Sequence, residues 1–244
     1  MFKRLKEPFC SLSHGAGVLL SIAALITLLI LSQGKSVHLI AFTIYGVSLM
    51  TLYAASTLYH SLRASARTES WLARFDYCAI YFLIAGSYTP VCLLALNGAW
   101  RWSLLSVIWT LAIGGILVSL LWENQPDWLR VSLYVVMGWL AVVALAPLQE
   151  ALPSTALRWL FAGGVAYSVG TIILAIDRPH LWPGKFSAHD LWHLFVLAGS
   201  ICHFILMARW IAPLDIDAPQ REYSASVSAK LIPGKFHHVR TNSH

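Results

Sequence analysis

The chain alternates long apolar runs with short polar breaks. Seven runs are long enough to cross roughly 30 Å of hydrocarbon at 1.5 Å per helical residue. They fall at about 14–32, 38–61, 76–97, 101–121, 130–149, 156–177 and 188–211. The separators carry helix breakers: "SQGKS" at 32–36, "NGAWR" at 97–101, "ENQPD" at 123–127 and "RPHLWPGK" at 178–185. The pattern predicts an all-α integral membrane protein, a seven-transmembrane helix bundle over residues 14–211. Residues 1–13 form a short N-terminal segment. Residues 212–244 have no helical period and many small or polar side chains, and read as a disordered tail.

Composition rejects a soluble alternative. Hydrophobic residues make up 58% of the chain and charged residues 11%, against roughly 25% charged in soluble domains. The net charge of +6 does not imply nucleic acid, because no basic patch is interleaved with aromatics. "MFKRLKEPF" before the first run resembles a signal peptide, but the run is long and no A-x-A site leads into a soluble domain. The placement of Lys and Arg sets an orientation. Lys3, Arg4, Lys6, Arg63, Arg67, Arg74, Arg130, Arg178 and Lys185 fall on one side, and Lys35, Arg101 and Arg158 on the other. The richer side is expected in the cytoplasm, so the N-terminus is inside and the C-terminus outside, although the tail and Arg209 add positive charge outside. Cys10, Cys78, Cys92 and Cys202 form no CxxC pair. They read as small buried residues, with no disulfide framework.

The seventh run opens with "SAHDLWHLF" at 187–195. His189 and His193 are four apart, so they share one helical face. The second run ends at His60 and the third opens near Asp76. Alternating spans place His60, Asp76, His189 and His193 at the same cytoplasmic membrane level. Three neutral imidazoles with one open position are the donor set of a catalytic zinc, and the open position takes water. Asp76 can then hydrogen-bond that water, or it can cap the start of its own helix. Ser56 lies one turn deeper than His60 on the same face. Any single intramembrane histidine is more often a helix–helix contact, but several ionisable groups meeting at one level are a functional candidate. His203 shares the face of His189, yet lies about 21 Å further along and cannot share its ion. It reads as a hydrogen-bonding residue of the bundle interior. His14 reads as a residue near the site or at a helix start, with small glycines behind it for close packing.

"SxxxH" at Ser56–His60, "DY" at Asp76–Tyr77, "HDLWHLFVLAGSICHF" from His189 and "SHGAG" at 13–17 resemble the haemolysin III proteins. These belong to the wider progestin and adipoQ receptor family, which includes the adiponectin receptors. The resemblance covers roughly residues 7–210. It implies seven helices with a cytoplasmic N-terminus, and Zn²⁺ held by His60, His189 and His193. Asp76 and Ser56 would then lie close to the zinc-bound water. Bacterial members tend to show Glu-x-x-Asn near the first helix, whereas here Glu7 is followed by Cys10. The leading expectation is a zinc-dependent hydrolase acting on an amide or ester of a membrane lipid in the plasma membrane. The alternatives are a receptor-like lipid or membrane-homeostasis sensor with structural zinc, and a cytolytic protein. The last ranks lowest, because no span carries a polar stripe wide enough for an aqueous pore.

Overall fold

In the computed structural model, residues 5–179, 181–182 and 186–216 are described. The helices are α1 (Pro8–Leu31), α2 (Ser36–Ser61), α3 (Ala66–Pro90), α4 (Gly98–Leu121), α5 (Asp127–Trp139), α6 (Leu145–Ala151), α7 (Ser154–Ile176) and α8 (Ala188–Leu206). α5 and α6 are two parts of one span, Asp127–Ala151, so seven spans among the described residues are long and apolar enough to cross a membrane. The compact bundle runs to Pro213. Of the following unit, 214–244, only Leu214, Asp215 and Ile216 are described. The expected disorder of the tail therefore falls on residues outside those described.

The outer faces carry exposed Leu19, Ile30, Leu121, Val143 and Ile172. Such side chains are at home against lipid, where backbone polar groups are satisfied within each helix. The interior is built by close approach. A Cβ on Gly17 would lie 2.5 Å from the Tyr53 ring, and one on Gly199 would lie 2.7 Å from the Tyr167 ring. Small residues let helices α1–α2 and α7–α8 pack at this range. α3 packs against α2, α4 and α5, and α8 returns to pack on both α7 and α1.

Two span starts differ from the sequence reading, and both matter for the site. α1 begins at Pro8 rather than 14. Proline at the first helical position needs no backbone donor, and the residues before it are pinned to the end of α2. The Lys6 amide donates to the Ser61 carbonyl (3.4 Å) and the Glu7 amide to the His60 carbonyl (2.9 Å). Cys10 and His14 are thus inside a helix, one turn apart. α3 begins at Ala66, capped by Ser65, whose hydroxyl accepts from the Thr68 amide. Asp76 therefore does not cap or open its helix. It lies about 15 Å along α3 and is buried.

The helix is interrupted between α5 and α6. Pro147 cannot donate to the Val143 carbonyl, and residues Leu140–Ala144 tighten to a 3₁₀ turn. The Tyr88 hydroxyl repairs the opened ladder. It donates towards the Met137 carbonyl (2.9 Å) and accepts from the Ala141 amide (2.8 Å). These are the two groups that an unbroken helix would have paired with each other. α3 itself passes into a wider π turn at Val91–Ala95 directly after Pro90, another place where a missing donor loosens the ladder.

Candidate metal centre

Ser187 caps α8. Its hydroxyl accepts from the Asp190 amide (3.2 Å), while Asp190 Oδ2 accepts from the Ser187 amide (2.7 Å). This reciprocal capping box fixes the first turn, an effect of about 1 kcal/mol. His189 and His193 project from the turns it anchors. His60 comes from the last turn of α2. The ring centroids are 4.7 Å apart for His60–His193, 4.9 Å for His189–His193 and 5.1 Å for His60–His189.

The three imidazoles do not meet alone. One ligand atom from each, together with Cys10 Sγ from the first turn of α1, form a group within 4.8 Å of one another. A tetrahedral ion holds N and S donors roughly 3.3–3.6 Å apart, so small inward rotations suffice. His60 Nε2, His189 Nε2 and both ring nitrogens of His193 are buried without a hydrogen-bond partner. Unpaired buried acceptors are costly, and a cation removes that cost. The donor set therefore fits a borderline-soft divalent metal.

His60 is oriented from behind. Its Nδ1 hydrogen-bonds the Glu7 carboxylate. A proton on Nδ1 leaves the Nε2 lone pair facing the other rings, the arrangement in which a carboxylate fixes the tautomer of a ligating histidine. The bond to His60 holds the Glu7 carboxyl below its ordinary value. Cys10 Sγ donates to Asp190 Oδ1 (3.1 Å), so the cap of α8 and the first turn of α1 are tied together beside the rings.

Asp76 is outside the four-atom group. It lines a cavity of about 140 Å³ with Ser56 and His14. The lining follows α3 from Asp76 to Tyr88, continues to Val91 in the π turn beyond it, and reaches His203 near the end of α8 and Met207 just past it. Most of its wall is aliphatic or aromatic. His14 lies against His193, with ring centroids 3.8 Å apart and both nitrogens unpartnered. His203 is different: its Nε2 is 3.3 Å from the Leu160 carbonyl.

Sequence reasoning names Glu7 and Cys10 only as a departure from the Glu-x-x-Asn pattern, not as site residues. The i, i+4 spacing of Cys10 and His14 was a second signal, hidden by starting the first span at 14. With Glu7, Cys10 and the three rings in place, a family model described as Haemolysin-III related matches residues 2–204. The chain belongs to that family. Hemolysin-3 of Bacillus cereus is 42% identical over 216 residues, which cover 87% of this chain and 95% of that protein. The Hemolysin-3 homolog of Bacillus subtilis (strain 168) is 41% identical over 206 residues, covering 84% and 93%. More distantly, the Adiponectin receptor protein of Drosophila melanogaster is 26% identical over 183 residues, covering 68% and 41%. The family is a multi-pass membrane family, and the wider kinship reaches the progestin and adipoQ receptors.

Proposed function

We propose that this haemolysin III-type membrane protein is a zinc-dependent hydrolase of an amide or ester bond in a membrane lipid. One observation carries the reading. Buried imidazole nitrogens without partners converge beside an apolar cavity that has a carboxylate in its wall. His60, His189 and His193 would hold the ion. A zinc ion bound there supplies Lewis acidity and lowers the pKa of water towards about 7.

The chain's own groups do the rest. The aliphatic wall beyond Asp76 suits a lipid chain. It places the polar end of that lipid near Ser56 and Asp76. The buried Ser56 hydroxyl shares the cavity wall with Asp76 and is placed to donate to a carbonyl oxygen or to hold the attacking water. An Asp76 carboxylate oxygen accepts a proton from the water and returns it to the departing amine or alcohol. Loss of such a base costs about 10²–10⁴ in rate.

The test is zinc per protein, measured beside lipid cleavage on vesicles or mixed micelles, for the purified wild type and Asp76→Ala. Zinc with turnover that depends on Asp76 supports the hydrolase. Zinc without turnover favours a receptor-like sensor with structural metal, a reading that the thiol beside the rings also favours. We place the protein in the plasma membrane, and the Lys and Arg distribution supports an orientation with its N-terminus and metal centre on the cytoplasmic side. A label at position 67 should then react only from the cytoplasm and one at position 101 only from outside.

A further inference from the structure

Cys10 is the part of the cluster that a three-histidine site does not use. We propose that Cys10 Sγ is a fourth ligand, so that the centre is a Cys-His₃ tetrahedron. The inference rests on the reading that His60, His189 and His193 hold a metal, and goes beyond it by filling the position left open there.

Three observations carry it. Cys10 Sγ lies in one group with a ligand atom of each ring, all within 4.8 Å. Cys10 is 2% exposed and His193 0% exposed, and both nitrogens of His193 lack a partner. The thiol is also held in place. Residues 6–7 are bonded to the end of α2, and the S–H bond points to Asp190 Oδ1 at 3.1 Å. Asp190 is fixed in turn by Ser187. Coordination needs no travel across the site. The S–H proton passes along its existing hydrogen bond to Asp190, and the sulfur electron pair goes to the metal. Thiolate and imidazole are the donors that tetrahedral zinc accepts.

The consequence is a site that closes. With Cys10 bound, all four positions are taken, as in a structural centre. The open position that hydrolysis requires then exists only while the thiol is off.

Cobalt(II) reports the ligand directly. The full-length protein is stripped of metal in detergent and loaded with cobalt. Wild type should bind about one cobalt per chain and show a sulfur-to-cobalt charge-transfer band in the near ultraviolet. Cys10→Ser should keep the cobalt and lose the band, while Cys92→Ser keeps both. One cobalt without the band in wild type, or a band that survives in Cys10→Ser, overturns the fourth ligand and leaves the three-histidine reading intact. Absence of any bound cobalt in wild type overturns the metal reading itself, and this proposal with it. If Cys10→Ser does not fold, X-ray absorption of the zinc-loaded wild type decides. A sulfur shell at about 2.3 Å supports the proposal, and a shell of nitrogen and oxygen alone at about 2.0–2.1 Å overturns it.

Discussion

The two ends of α8 carry the same side chain and treat it differently. At the N-terminal end, His189 Nε2 and both nitrogens of His193 are buried with no partner. At the other end, His203 Nε2 faces the Leu160 carbonyl at 3.3 Å. Its ring fills the space beside Gly163, where a Cβ would come within 2.4 Å. An unmatched buried polar atom costs about 1–3 kcal/mol. The far end avoids that cost with a hydrogen bond, as a packing histidine does. The near end gathers several such atoms into one spot, where a single cation offsets one on each ring. What separates a candidate ligand from a bundle contact is therefore the convergence of unsatisfied atoms, not the histidine.

The comparison breaks most sharply at the rings. Replacing His60, His189 or His193 singly with alanine should take zinc from about one per chain to little or none, measured by elemental analysis of the purified protein. Each ring is one of the three donors that the zinc reading requires, whereas the thiol only closes the remaining position, so losing a ring costs far more affinity than losing Cys10. His203→Ala should keep its zinc. The reverse pattern would mean that the far end holds the ion.

Next in size is Asp76→Ala. Any cleavage of a lipid amide or ester should fall by about 10²–10⁴, with zinc content close to wild type. Asp76 faces the cavity and stands outside the four-atom group. A variant that purifies without zinc would make Asp76 a ligand. A loaded variant with an unchanged rate would remove it from the chemistry.

Glu7→Gln tests how the near end is oriented. The amide retains a hydrogen bond to His60 Nδ1 but not the charge that favours a proton there. Metal affinity should weaken by about 10–100-fold, the usual cost of losing a partner behind a ligand. Competition against a zinc chelator measures it. An unchanged affinity would mean that His60 Nε2 needs no help from Glu7.

Much of this was legible in the sequence because membrane spans are written in hydropathy. Seven apolar runs of the right length gave seven spans, and the i, i+4 spacing of His189 and His193 gave one face of α8. Hydropathy also misled at polar helix ends. "KEPFCSLS" and "ARTESWLARF" are mixed in character, so α1 and α3 were expected to start 6 and 10 residues later than they do. That left Cys10 in a short segment before the first span and made Asp76 look like a helix start. The Glu7–His60 bond spans 53 positions, and no local period carries such a contact. The same holds for Tyr88, whose hydroxyl takes up the Met137 carbonyl and the Ala141 amide where the ladder opens between α5 and α6.

The smallest effect tests whether the two ends of α8 are independent. Ser200 lies between them, seven residues after His193 and three before His203. Its hydroxyl receives the Tyr53 hydroxyl at 2.7 Å and lies 2.9 Å from that of Tyr167. The bonds join α2, α7 and α8 inside the bundle. Tyr167→Phe removes one of them and keeps the ring that packs over Gly199. Hydrogen bonds between membrane helices are worth about 0.6 kcal/mol on average, and about 1.7 at most. Tyr53 still satisfies Ser200, so no buried hydroxyl is stranded and the loss should stay near the lower figure. The measurement is the unfolding midpoint of the metal-loaded protein in detergent, with zinc content beside it. A small fall in midpoint with zinc unchanged leaves the near end self-sufficient, held by its cap, Glu7 and the first turn of α1. Loss of zinc from Tyr167→Phe would show that the far half of the bundle sets the geometry of the rings, and the contrast between the two ends of α8 would fail.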